Sequence, residues 1–146
     1  MDAIVFYFRT EDDVQIAQQI LVTANKLRPS GRGYSGRDEN GRSIFLDVCD
    51  GKEEYGTESE RRYANFGRDD GMPLCIVLSY RTVQVAIDAI FLITAAVPVR
   101  VDDDFGTLDE GTEFVAWFHR GGSWPVHPEH PLKDAPDWKI SGEAHT

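Results

Sequence analysis

The sequence predicts an α+β domain of two layers: a mixed, mainly antiparallel sheet of about five strands with two helices on one of its faces. Two long segments carry apolar residues at helical spacing, and the shorter segments around them are rich in Val, Ile, Leu and Phe. Their order, β-α-β-β-α-β-β, is not the strict alternation that builds a parallel sheet.

Ala3–Phe8 (AIVFYF) is bulky and apolar on both sides of the chain, as a central strand requires. Thr10 then opens TEDDVQIAQQILVTANKL, with Asp13 three residues on as a weaker capping box and three acids on the positive end of the helix dipole. Val14, Ala17, Ile20, Leu21, Ala24 and Leu27 recur at helical spacing and form one stripe for the sheet. Residues 29–42, dominated by Gly, Ser, Asn and Arg, read as a loop.

Ser43–Cys49 is the second strand, a polar stretch covers 50–71, and Pro73–Tyr80 is the third strand. Thr82–Ala96 is apolar almost all round and predicts a buried helix ended by Pro98. Val97, Val99 and Val101 then share one strand face, with Arg100 and Asp102 on the other. Continuing that phase would turn Asp103 into the core, so the strand ends near Asp102 and the next acids fall in or after a turn pivoting on Gly106. Thr112–Phe118 (TEFVAWF) reads as a last strand.

Residues 1–120 thus form one domain, followed by an irregular tail, 121–146, that holds four of the seven prolines. Trp124 and Trp138 in the tail are expected to cover a surface of the domain or of a partner. A chain of 146 residues buries about two thirds of its unfolded surface and needs no metal or disulfide staple.

Cys49 and Cys75 both lie in strand-like surroundings, which suits buried thiols in a reducing, cytoplasmic compartment. No basic leader precedes the first apolar run, and the longest such run, Val83–Val99, is interrupted by Asp88 and Pro98. Neither a signal peptide nor a membrane span is expected.

Net charge is −10, which argues against a nucleic-acid ligand and makes a basic protein the natural partner. The imbalance is local. Residues 101–118 hold six acids, Asp102, Asp103, Asp104, Asp109, Glu110 and Glu113, and no base. A second cluster, DGKEEYGTESE, holds Asp50, Glu53, Glu54, Glu58 and Glu60.

The motifs that resemble chemistry fail on context. GRGYSG (Gly31, Gly33, Gly36) has the dinucleotide-binding spacing but no strand before it and no helix after it. Asp104-Phe105-Gly106 matches the kinase metal triplet in a chain too short for that fold. Asp102, Asp104 and Glu113 fall at positions 1, 3 and 12 of an EF-hand loop, but Thr107 stands where the turn demands Gly. His127 and His130 near Glu129, with His119 not far, fall in a proline-rich tail that holds histidines by composition, where zinc needs three or four convergent ligands, and the apolar settings of both cysteines suit no nucleophile. No catalytic, metal or cofactor site is expected, and the chain is not read as an enzyme.

The acidic clusters therefore predict a docking face, with Asp102, Asp103, Asp104, Asp109 and Glu110 lining a turn at the sheet edge. Phe105 is an aromatic anchor there, as Tyr55 is beside Glu53, Glu54 and Glu58.

The segment VQVAIDAIFLITAAVPVRV followed by an acid, with YGTESERRYANFG before it, resembles the small acidic immunity proteins encoded beside bacterial polymorphic toxins, in particular those of deaminase-type toxins. The resemblance covers about residues 40–104. Ala95-Ala96-Val97 stands where that family has Gly before the proline region, and Asp103 or Asp104 where it has Trp. The resemblance implies an antitoxin that binds its cognate toxin, a basic nucleic-acid-targeting enzyme such as a deaminase or nuclease, and blocks its active site without chemistry. The alternative is a regulatory α+β module that binds a small ligand between sheet and helices.

Overall fold

The computed structural model describes residues 1–50 and 57–125. It is α+β, with an open sheet in which every paired strand is antiparallel to its neighbour. In chain order the elements are β1 (Asp2–Phe8), α1 (Glu11–Asn25), β2 (Arg28–Ser30), β3 (Gly33–Arg37) and β4 (Ser43–Asp50). There follow α2 (Glu58–Ala64), β5 (Leu74–Tyr80), α3 (Val83–Ala96), β6 (Arg100–Asp102), β7 (Leu108–Glu110) and α4 (Gly111–His119). The sheet order is β2-β3-β4-β5-β1-β6-β7.

Seven strands replace the expected five or so, and four helices among the described residues replace two. The segment read as a loop, 29–42, folds into the β2–β3 hairpin, with Ser30 opposite Gly33 and Gly31 at φ +59 between them. Gly33 is fixed by close approach, since a Cβ there would lie 2.3 Å from the Leu46 carbonyl oxygen. Thr112–Phe118 is helical, not a strand: Phe114, Trp117 and Phe118 share a helical face, and the turn of Gly121 and Gly122 closes the helix. Their N–H groups donate to the carbonyls of Phe118 (3.0 Å) and Trp117 (2.9 Å) in the Schellman pattern.

Strand alternation sorts β1 into two faces. Ile4, Phe6 and Phe8 join Val14, Ala17 and Leu21 of α1, Ala86, Ala89, Ile90 and Ile93 of α3, and Phe114 of α4 in the main core. Val5 and Tyr7 face the other way, onto Ala64, Cys75 and Leu108, with Tyr63 and Phe66 packed against them. Both helices read from the sequence, together with α4, therefore cover one face, and the short α2 adds a partial third layer. That explains why β1 is apolar on both faces from Ala3 to Phe8.

The caps follow the residue chemistry. Thr10 Oγ1 accepts the Asp13 N–H at 3.1 Å, and the helix ends with Lys26 at φ 53 while the Leu27 N–H donates to the Val22 carbonyl at 3.0 Å. Thr57 Oγ1 caps α2 through the Glu60 N–H at 3.2 Å. Among the described residues no helix is long and apolar enough to cross a membrane.

Candidate functional site

The β6–β7 hairpin carries the acidic stretch. The strand ends at Asp102, and Asp102 pairs with Leu108 across a tight tip that contains Gly106 at φ +101. The expectation that the tip acids point out of the core is corrected for two of them. Asp103 and Asp109 are buried, at 0% and 1% exposure.

Asp103 is the internal hub of the turn. Its Oδ1 accepts the N–H groups of Phe105 (2.8 Å) and Thr107 (3.0 Å), while its own N–H donates to the Thr107 carbonyl at 3.0 Å. A short carboxylate side chain satisfies backbone donors that a tight turn leaves without ladder partners, so it is buried as part of the turn itself. Asp102 Oδ1 accepts the Asp104 N–H at 2.8 Å in the same manner, and Asp109 Oδ1 accepts the Glu110 N–H at 2.6 Å.

Glu110 is half-buried and engaged. It faces Arg100 across the ladder, and Arg100 Nε donates to Glu110 Oε1 at 3.0 Å. The guanidinium lies 4.3 Å over the Phe66 ring and 5.3 Å over the Tyr63 ring, and Arg100 Nη1 donates to the Tyr63 carbonyl. That pair ties α2 to the outer strands.

Exposed at the tip are Asp104, held at φ +65, and Phe105, at 44% exposure. Phe105 meets the Trp124 ring edge-on at 6.3 Å. Trp124 stands edge-on to Tyr80 (6.3 Å) and stacks on Phe118 (6.4 Å). The Trp124 part of the tail thus covers the domain as expected, while Trp138 lies outside the described residues.

Asp2 reaches the same end, because β1 pairs with β5 so that Asp2 opposes Tyr80. Burial, and then the neighbouring Asp2 carboxylate, hold the Asp104 carboxyl above its ordinary value. Burial, with Asp2 next, pushes the Tyr80 phenol up to about 12; the Asp103 and Asp104 charges add to it and the Trp124 side chain opposes it. The sequence reading missed Asp2 and Tyr80 as members of this end, since only the register of distant strands brings them there.

Of the second cluster, Glu53, Glu54 and Tyr55 lie outside the described residues. Glu58 is exposed in the first turn of α2, 3.0 Å from Arg62 one turn on. So solvated an i,i+4 pair contributes about 0.3–0.5 kcal/mol.

Of the other sites weighed in the sequence, His127, Glu129 and His130 lie outside the described residues. GRGYSG lies in the β2–β3 hairpin and leads into a turn between strands, not into a helix. Cys75 is buried in the second core. Among the described residues no three His, Cys, Asp or Glu side chains gather as a metal site would require.

Depressions lie on the helix side of the described residues. An apolar one of about 820 Å³, wide open to solvent, runs between α1 and α3 past Ile16, Ile20 and Leu92. A polar one of about 460 Å³ lies at the start of α3. There Asp38 is held below its ordinary value, first by the neighbouring Thr82 side chain and then by the Arg42 and Asn40 N–H groups that its Oδ1 accepts. The polar one lies where Arg37 of β3 and the turn after it meet the end of α1 and the start of α3, and the apolar one lies between the two helices.

No family model, curated protein or solved structure matches this chain.

Proposed function

We propose that this chain is an immunity protein: it neutralises a basic bacterial toxin, of the nucleic-acid-targeting kind, by docking the tip of the β6–β7 hairpin over the toxin's active-site mouth. The observation that carries this reading is the exposed Asp104-Phe105 pair at the tip, a carboxylate beside a solvent-facing aromatic on a turn held rigid by buried Asp103. A net charge of −10, concentrated around this hairpin, supports it. An enzyme that grips phosphates needs a basic cleft, and an acidic tip competes for that cleft by charge and speeds encounter.

The docking set is narrower than the acidic run. Asp104 and Phe105 lead it, Asp102 borders it, and Asp103 and Asp109 act by shaping the hairpin from within. Glu110 reaches a partner only by leaving Arg100.

The test is co-expression with the toxin encoded beside this gene. Wild-type protein is expected to co-purify with the toxin and protect the cell, and Asp104→Lys with Phe105→Ala to lose both while staying folded. Full protection by the folded double variant would place the docking face elsewhere.

A further inference from the structure

The hairpin end presents an aromatic patch whose border is acidic. Phe105 is held against Trp124, itself packed on Tyr80 and Phe118, yet nearly half of the Phe105 surface remains in water. Contiguous aromatic patches are enriched where a partner covers them. Asp104 precedes Phe105, and Asp2 lies close enough for its charge to act on Asp104. Neither carboxylate takes part in an ion pair among the described residues.

We infer that this patch seats an arginine side chain of a basic partner protein, its guanidinium plane lying on Phe105 while its N–H groups donate to Asp104 and Asp2. The inference rests on the docking reading above and narrows it to one residue type.

The chemistry selects the occupant. An aliphatic side chain would cover Phe105 but leave two carboxylates desolvated and unpaired. A lysine ammonium would neutralise charge, but it is compact and strongly hydrated and gains less from a ring. Guanidinium is planar and weakly hydrated, so it stacks and donates along its edge at once. The chain already uses this combination internally, where Arg100 lies over Phe66 and donates to Glu110. At the hairpin end the ring and the carboxylates are present, and among the described residues no cation pairs with them.

Amide-correlation NMR of the full chain, titrated at low salt with amidated tetra-arginine and tetra-lysine peptides, tests this. Tetra-arginine is expected to shift the Asp104, Phe105 and Gly106 amides and the Trp124 indole N–H, and to bind more tightly than tetra-lysine by about two- to five-fold. Phe105→Ala should remove that preference and leave the lysine peptide's affinity unchanged. Asp104→Asn, which tolerates the positive φ, should weaken both peptides; the spectra report whether each variant is folded. Equal binding of the two peptides at the tip, unaffected by Phe105→Ala, would overturn the arginine seat and leave the docking face standing. Shifts confined to other acidic segments, or none, would overturn both.

Discussion

Asp103 and Thr107 close the β6–β7 hairpin from both sides: the Thr107 N–H donates to Asp103 Oδ1 at 3.0 Å, and the Asp103 N–H donates to the Thr107 carbonyl at 3.0 Å. Both residues are buried, so the most acidic stretch of the chain is organised around a carboxylate that never meets solvent. The exposed acid, Asp104, is presented by that scaffold.

Removing the Asp103 carboxylate should therefore act on stability first. Asp103→Ala leaves the Phe105 and Thr107 N–H groups without their acceptor, and one charge-assisted bond of this kind is worth about 1.5–3 kcal/mol. Urea unfolding should show a loss of about 2–3 kcal/mol. Loss of less than about 0.5 kcal/mol, the range of an ordinary surface site, would show that the turn does not depend on this side chain.

Gly111 starts α4 where the helix is pressed against its neighbours, and a Cβ there would lie 2.4 Å from Thr94 Oγ1 and 2.7 Å from Val99 Cγ1. Gly111→Ala is expected to destabilise by about 1–3 kcal/mol through overpacking, despite the better helix propensity of Ala. Adding Thr94→Ala should recover part of the loss, as measured by a double-mutant cycle in urea.

Arg100 holds a ring stack and an ion pair together, and Lys can reproduce only the charge. Arg100→Lys should cost about 1–2 kcal/mol. In Phe66→Leu the same substitution should cost less, because the better ring contact has already gone. Equal costs in both backgrounds would show that the stack adds nothing.

Asp104 gives a pH dependence of defined sign. Its folded carboxyl lies above the ordinary value because of burial and Asp2. The folded state therefore holds that proton more tightly than the unfolded chain. The group destabilises the fold at neutral pH, and the penalty is relieved as pH falls through the raised folded value. Asp104→Asn should raise the melting temperature at pH 7, and the gain should shrink towards pH 4. A lower melting temperature at pH 7 would contradict the repulsion.

Local periodicity made β1, α1, β4, β5 and α3 legible, because each has apolar spacing long enough to stand alone. The β2–β3 hairpin was not legible: Arg28, Pro29 and Ser30 are all exposed, and the pairing of β2 with β3 and of β3 with β4, rather than propensity, makes these strands. TEFVAWF fits both periods. The His-Arg-Gly-Gly stop after it was the readable sign of a helix, since glycine after a basic residue closes helices. At the candidate site, strand phase located the turn and Gly106 correctly. It could not tell that an Asp in a turn can be buried when backbone N–H groups supply its partners. Asp2 and Tyr80 carried no local signal, because their place beside Asp104 is a product of sheet register.

The most direct test of the docking reading is the association rate of this chain with a basic nucleic-acid-targeting toxin from a neighbouring gene, measured at low and high salt for wild type and for Asp104→Lys. Steering by exposed charge is screened beyond about 10 Å at 0.1 M salt. The account predicts that wild-type association slows steeply as salt rises, and that Asp104→Lys associates about ten-fold more slowly at low salt with a flatter salt dependence. Equal on-rates and equal salt slopes for the two folded proteins would contradict it.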